Sequence, residues 1–277
     1  MKYRQYRGME VVKVLSPAQR KALKLWRRAV LTVYKPDMVD AKFAEEQILL
    51  TAKTENYIYS DFTPLKIKYK KGSRPYLEEI AAKVTKNCKG ERKTMLALMR
   101  WVRDIHKRHT GPYKEAFHGG TEEEVIKKGS DMCNEMARVL IFLCQICGLP
   151  GRFVGHPMGG HGVTEIHVEG GWAYVDDRGK YFEKADGTLA STWDIMQDPS
   201  IIDKQPAHVR KDLARTKGLK STREKFFHPN EITTVANYNI DNCAHYSYEW
   251  VWNTPAVHRS TEGIKRELRK AVKKVFI

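Results

Sequence analysis

The chain of 277 residues carries 49 Lys and Arg against 33 Asp and Glu, a net charge of +16 and a pI near 9.5. With 42% hydrophobic and 30% charged residues it has the apolar material for a sizeable core, no apolar run long enough to span a bilayer, and no signal-peptide core after Met1-Lys2-Tyr3-Arg4. Five cysteines, an odd count without framework-like spacing, point to a reducing cytoplasm rather than secretion.

Residues 1–75 read as an N-terminal extension. It mixes a helix from Pro17 to Tyr34 with strand-like pieces at Asn56–Ser60 and Leu65–Tyr69. Tyr76 to His106 reads as two helices, the second carrying Trp101 and turning Leu96, Leu98, Met99 and Val102 inward. An insertion, His109–Lys128, holds Gly119-Gly120 and the acidic Glu122–Glu124. It leads into the most apolar helical stretch of the chain, Cys133-Asn134-Glu135-Met136-Ala137-Arg138-Val139-Leu140-Ile141-Phe142-Leu143-Cys144. Asp131 serves as N-cap or sits just before it, and Gly148 with Pro150 supplies the stop. Met136, Ala137, Leu140, Cys144 and Cys147 recur at helical spacing from Cys133, which therefore begins the inward stripe. A lone cysteine is ordinarily a small buried residue. At a helix start, however, unpaired N–H groups and the dipole favour a thiolate, and a neighbouring imidazolium favours it further.

The companions follow on predicted antiparallel strands. Arg152-Phe153-Val154 is a short strand, broken by Gly159-Gly160 from His161–Val168, which turns into Trp172–Asp176. Alternation puts His161, Val163, Glu165 and His167 on one face. A turn centred near Val168-Glu169 sets His161 opposite Asp176, whereas one centred on Gly170-Gly171 brings Glu165 there instead. The residues leave that register open. A hairpin through Tyr181-Phe182 and Ala185-Asp186-Gly187 is expected next. From residue 201 to 277 the chain reads as a basic, aromatic-rich C-terminal extension. Asp203–Lys225 is a polar loop or exposed helix, and Tyr246, Tyr248, Trp250 and Trp252 alternate as in a strand. Lys265–Lys274 forms a basic amphipathic helix with Ile264, Leu268, Val272 and Val275 on its apolar side.

Two motif groups resemble the transglutaminase-like superfamily. One is Cys133-Asn-Glu-Met-Ala137 heading an apolar helix, with Cys147-Gly-Leu-Pro-Gly-Arg-Phe-Val154 after it. The other is His161-Gly-Val-Thr-Glu165-Ile followed by Gly171-Trp172-Ala-Tyr-Val-Asp176. The resemblance implies an α+β, papain-like core at 76–200, a nucleophile helix packed on an antiparallel sheet, with N- and C-terminal elaborations. It implies Cys133 as nucleophile, His161 as base and Asp176 as the acid that orients it, with Trp172 and Glu165 as secondary, substrate-binding candidates. The chain departs from the usual pattern in having Asp131 where Gly is common, Gly162-Val163 for Ala-Trp, and Asp177 for Pro.

The chemistry implied is cysteine-dependent acyl transfer on a peptide or protein side-chain amide through a thioester, without metal or other cofactor. Water as acceptor makes a protease, isopeptidase or amidase; a lysine amine makes a transglutaminase. The N–H of Cys133 is one oxyanion donor, and Ser130, Tyr113 and His118 are weak candidates for the second. A zinc site from Cys144, Cys147, His156 and His161 is disfavoured because the cysteine pair lies in an apolar helix end. His167 is the understudy for His161. The competing function is a catalytically inactive scaffold of the same fold that binds a polyanion or acidic partner through Lys66–Lys71, Arg210–Lys225 and the C-terminal basic helix.

Overall fold

The computed structural model describes residues 48–60, 65, 68–105, 121–130, 132–156, 159–213, 219–228 and 231–237. The expected helix at 17–34, the insertion up to residue 120 with Tyr113 and His118, the aromatic run at 246–252 and the basic helix at 264–275 lie outside these residues, as does Asp131.

Helix α1 spans Glu55–Ser60, where the aromatic sequence suggested a strand. The β-favouring Tyr57-Ile58-Tyr59 run is overridden because Tyr57 and Ile58 bury as one helical face. The expected strand at Leu65–Tyr69 is likewise absent among its described residues, with Leu65 in a short helical turn and Lys68 and Tyr69 irregular. The two helices expected next are present: α2, Pro75–Thr85, with Pro75 in its first turn, and α3, Glu91–Arg103. Met95, Leu98, Met99 and Val102 of α3 are buried, while Trp101 and Leu96 pack at the edge of the core. Helix α4, Glu122–Lys128, starts with a capping box between Thr121 and Glu124.

Helix α5, Cys133–Ile146, is the centre of the molecule. Every residue from Glu135 to Gln145 is buried, so the expected apolar stripe is instead a helix enclosed on all sides. Helices α2, α3 and α4 cover one side and the sheet the other. Its two charged members are satisfied inside the core: Glu135 accepts from Ser130, and Arg138 pairs at 2.7 Å with Glu122, which also receives Arg74 at 2.8 Å. The joint fastens α2, α4 and α5 together.

The sheet has six antiparallel strands in the order β1-β6-β2-β3-β4-β5. They are β1 Ile48–Leu49, β2 Gly151–His156, β3 His161–Val168, β4 Gly171–Asp176, β5 Lys180–Tyr181 and β6 Thr234–Asn237. The β3–β4 turn is centred on Glu169-Gly170, both at positive φ (52° and 81°), the arrangement that matches strand twist. Thr164 therefore pairs with Val175 and Glu165 with Tyr174, a register midway between the two anticipated. Gly151 lies so close to Ile166 and Ile141 that these mark the face packed on α5. Strand alternation then sends Arg152, His156, His161, Glu165, Trp172, Tyr174 and Asp176 to the opposite face. That second face meets α1, the start of α6 (Thr192–Gln197) and the end of α8 (Leu219–Phe226). Between α6 and α8, α7 covers Ala207–Leu213, so the polar stretch 203–225 is helical at both ends.

Candidate active site

Cys133 is the first residue of α5, with Met132 as N-cap and no side-chain capping bond. The helix start is set instead by Ser130, whose buried hydroxyl donates to Glu135 and accepts from the Met132 N–H at 3.0 Å. Ser130, considered above as an oxyanion donor, is thus engaged inside the fold. Half-buried Cys133 lies at the end of the sheet, where the Gly162 N–H donates to Sγ at 3.4 Å and His161 is near enough for its charge to act on the thiol.

The intermediate register decides how His161 finds its carboxylate. His161 and Asp176 are not directly opposite but diagonal neighbours on one face, a separation that long side chains bridge. Nε2 of His161 lies 3.3 Å from Oδ2 of Asp176. Asp176 is fully buried and also accepts from the Arg178 N–H at 2.8 Å and from Lys180 Nζ at 3.2 Å.

The electrostatics follow from these contacts. Burial opposes charge on His161, but the Asp176 carboxylate, reinforced by Cys133, outweighs it and raises the imidazole from 6.5 to about 10. Burial likewise pushes the Cys133 thiol up, yet the bond and charge of His161, the Gly162 N–H and Arg178 bring it below its ordinary value. Burial would raise Asp176 too, but His161 and Lys180 hold it below the usual carboxylate range. The neighbouring Asp177 behaves oppositely. It is fully buried, neither oxygen has a hydrogen-bond partner among the described residues, and burial together with the Asp176 charge holds it well above the carboxylate range.

A helix-borne cysteine meeting a histidine across the end of an antiparallel sheet, with an acid on the next strand, is a recognisable core. Residues 78–177 match the transglutaminase-like superfamily. The matched segment runs from within α2 to the residue after β4 and includes Cys133, His161, Asp176 and Asp177. Among solved structures, a candidate cysteine protease from Cytophaga hutchinsonii is similar at 19% identity and a TM-score of 0.34. The similarity covers 42% of this chain and 41% of that one. No curated protein matches the chain.

Glu165 and Trp172 are not brought to the thiol. Glu165 lies four residues beyond His161, roughly 13 Å along β3. It is fully buried, accepting from Tyr59 Oη at 2.7 Å, Arg152 Nε at 2.9 Å and the Thr192 N–H at 2.7 Å. Trp172 stacks on the Arg152 guanidinium at 3.9 Å, with Tyr59 near the same group at 4.6 Å. Both belong to a knot joining α1, β2, β3, β4 and α6. His167 packs edge-on against Trp172, away from Cys133. Cys144 is fully buried in α5 and its thiol is pushed up by burial, while His156 stands on the far face of the sheet. Among the described residues no group of three or more His, Cys, Asp or Glu is placed to hold a metal, and no helix is long and apolar enough to cross a membrane.

Sequence reasoning did not single out Gly162, Arg178 or Lys180 for the site. Lys180 carried a signal, since the Asp176 and Lys180 positions fall across a tight turn; the Gly162 contact depends on tertiary placement alone.

Proposed function

We propose that the protein is a cysteine acyl-transfer enzyme acting on peptide or protein side-chain amides, with Cys133 as nucleophile, His161 as acid and base, and Asp176 as the group that orients and charges His161. The observation that carries this is the placement of the Cys133 Sγ on the Gly162 N–H, beside His161, whose Nε2 lies 3.3 Å from the buried Asp176 carboxylate; the arrangement favours a thiolate–imidazolium pair. The thiolate forms a C–S bond to the amide carbon, and its carbonyl becomes an oxyanion near the free N–H at the start of α5. As the C–N bond breaks, the imidazolium gives its proton to the departing amine, leaving a thioester and neutral imidazole. Water, or a second amine, then adds to the thioester while His161 takes its proton, and the sulfur leaves as thiolate. Water is the acceptor proposed here, making the net reaction hydrolysis. A free thiolate suits a reducing compartment, and the cytoplasm is the location proposed.

The test is the pH dependence of alkylation at each cysteine, read by mass spectrometry on the folded protein. Cys133 should react at a pH well below that of Cys144 and Cys147, whose thiols burial pushes up, and His161→Ala should remove the advantage. Cys133→Ala should keep the fold but form no thioester with activated esters. A Cys133 no more reactive than Cys147 would refute the triad and turn attention to an inactive, polyanion-binding scaffold.

A further inference from the structure

The face of the catalytic imidazole is not bare. We propose that Phe226, at the end of α8 and outside the transglutaminase-like segment, is a positioning residue for His161, its ring acting as a flat clamp on the imidazole plane. The inference rests on the triad reading above.

Phe226 stacks on His161 with ring centroids 4.8 Å apart and planes 28° from parallel. Phe226 also stacks on His156, at 5.4 Å and 29°. The ring thus lies against both histidines. His156 is a fitting base for it, since burial and the neighbouring His161 charge hold it to about 3 and keep it neutral. Phe227 closes the stack from the side, edge-on to both His156 and Tyr174. The chain makes room for the clamp: a Cβ on Gly159 would lie 2.5 Å from the Phe226 ring and 2.8 Å from the Lys225 carbonyl. Arg223, one helical turn earlier, ties α8 to Asp203.

A clamp is needed because the in-plane tethers of His161 are weak. Its bond to Asp176 is long, at 3.3 Å, and the same oxygen is shared with Lys180. The second torsion of a histidine is broad and roughly two-fold, so a face contact is what restricts it. An apolar filler of equal volume would exclude water but would not offer a flat surface. Among the described residues, the charged and titratable groups within electrostatic reach of His161 are Cys133 from α5, His156 from β2, Asp176 from β4 and Asp177 just after it. Phe226 adds no charge to them.

The experiment compares Phe226→Leu, Phe226→Tyr and Phe226→Trp by the pH profile of Cys133 alkylation, with thermal melting as the control for packing. Leu should raise the Cys133 midpoint by about one pH unit, a roughly tenfold loss of thiolate at fixed pH. Tyr and Trp should keep the wild-type midpoint even if their melting temperatures fall. If Leu does not fold, Phe226→Met takes its place. A Leu or Met variant with the wild-type midpoint, in a protein where His161→Ala does shift it, overturns the clamp and leaves the triad standing. A wild-type midpoint that His161→Ala leaves unchanged overturns both.

Discussion

Replacing Asp176 by Asn removes one charge and keeps the shape. In the wild type the carboxylate lies 3.3 Å from His161 Nε2. At the effective dielectric suited to protein sites, two unit charges at that separation interact by about 5 kcal/mol, worth between about three and four pKa units. Taken from about 10, His161 returns close to its ordinary 6.5. The thiol then loses its counter-ion at neutral pH, burial pushes it up, and Lys180 is deprived of the carboxylate it now meets at 3.2 Å. Alkylation of Cys133 at pH 7 should fall about tenfold or more, and the midpoint of its profile should move up. The rate falls less than the thiolate fraction because a higher-pKa thiolate is the better nucleophile. The window expected for the proposed acyl transfer is bounded below by ionisation of Cys133 and above by loss of the imidazolium near about 10. In the variant the upper bound moves down toward neutrality, so the two limbs approach each other and the maximum shrinks. The assay is pH-resolved alkylation on the folded protein, with melting curves to verify the fold. An Asp176→Asn protein with wild-type Cys133 reactivity at pH 7 would refute the electrostatic account.

Two further substitutions test the surroundings. Arg152→Met leaves Glu165 without its guanidinium in the core, so stability should fall by about 3–5 kcal/mol in urea unfolding, and a loss under about 1 kcal/mol would contradict the buried knot. Gly162→Ala places a Cβ 2.5 Å from the Phe153 ring beside the N–H that serves Cys133. It should cost about 1–3 kcal/mol and depress Cys133 reactivity. Phe153→Leu in the same chain should restore part of both, and strictly additive effects in a double-mutant cycle would count against the close approach.

The regular elements that bury one face were legible because their period is written in the residues. The helices at Pro75–Thr85, Glu91–Arg103 and Cys133–Ile146, and the strands around His161 and Trp172, fall in this class. The register between His161 and Asp176 was not legible, because it turns on Glu169 taking a left-handed conformation that Gly170-Gly171 seemed better suited to supply. Strands β1 and β6 are too short to alternate visibly and exist only through each other and β2. Glu165 and Trp172 share the strands of His161 and Asp176, which suggested a common site. What separates them is Arg152, whose side chain has to be buried somewhere and takes both as partners. Phe226 lies so far along the chain from His161 that no local pattern connects them.

The position of β6 has a consequence for how the chain can be divided. Residues 78–177 contain the proposed triad but, among the described residues, only three strands, β2 to β4. Excised, that stretch would leave β2 with an open row of N–H and C=O groups where Arg152–Gly155 now pair with Thr234–Asn237. Such an edge recruits any extended segment it meets, including another copy of itself. Arg152 would at the same time lose the Ile58 carbonyl and the Tyr59 ring that hold its guanidinium from α1. The unit of chemistry and the unit of solubility thus have different ends, and an expression fragment meant to be both has to reach from β1 to β6.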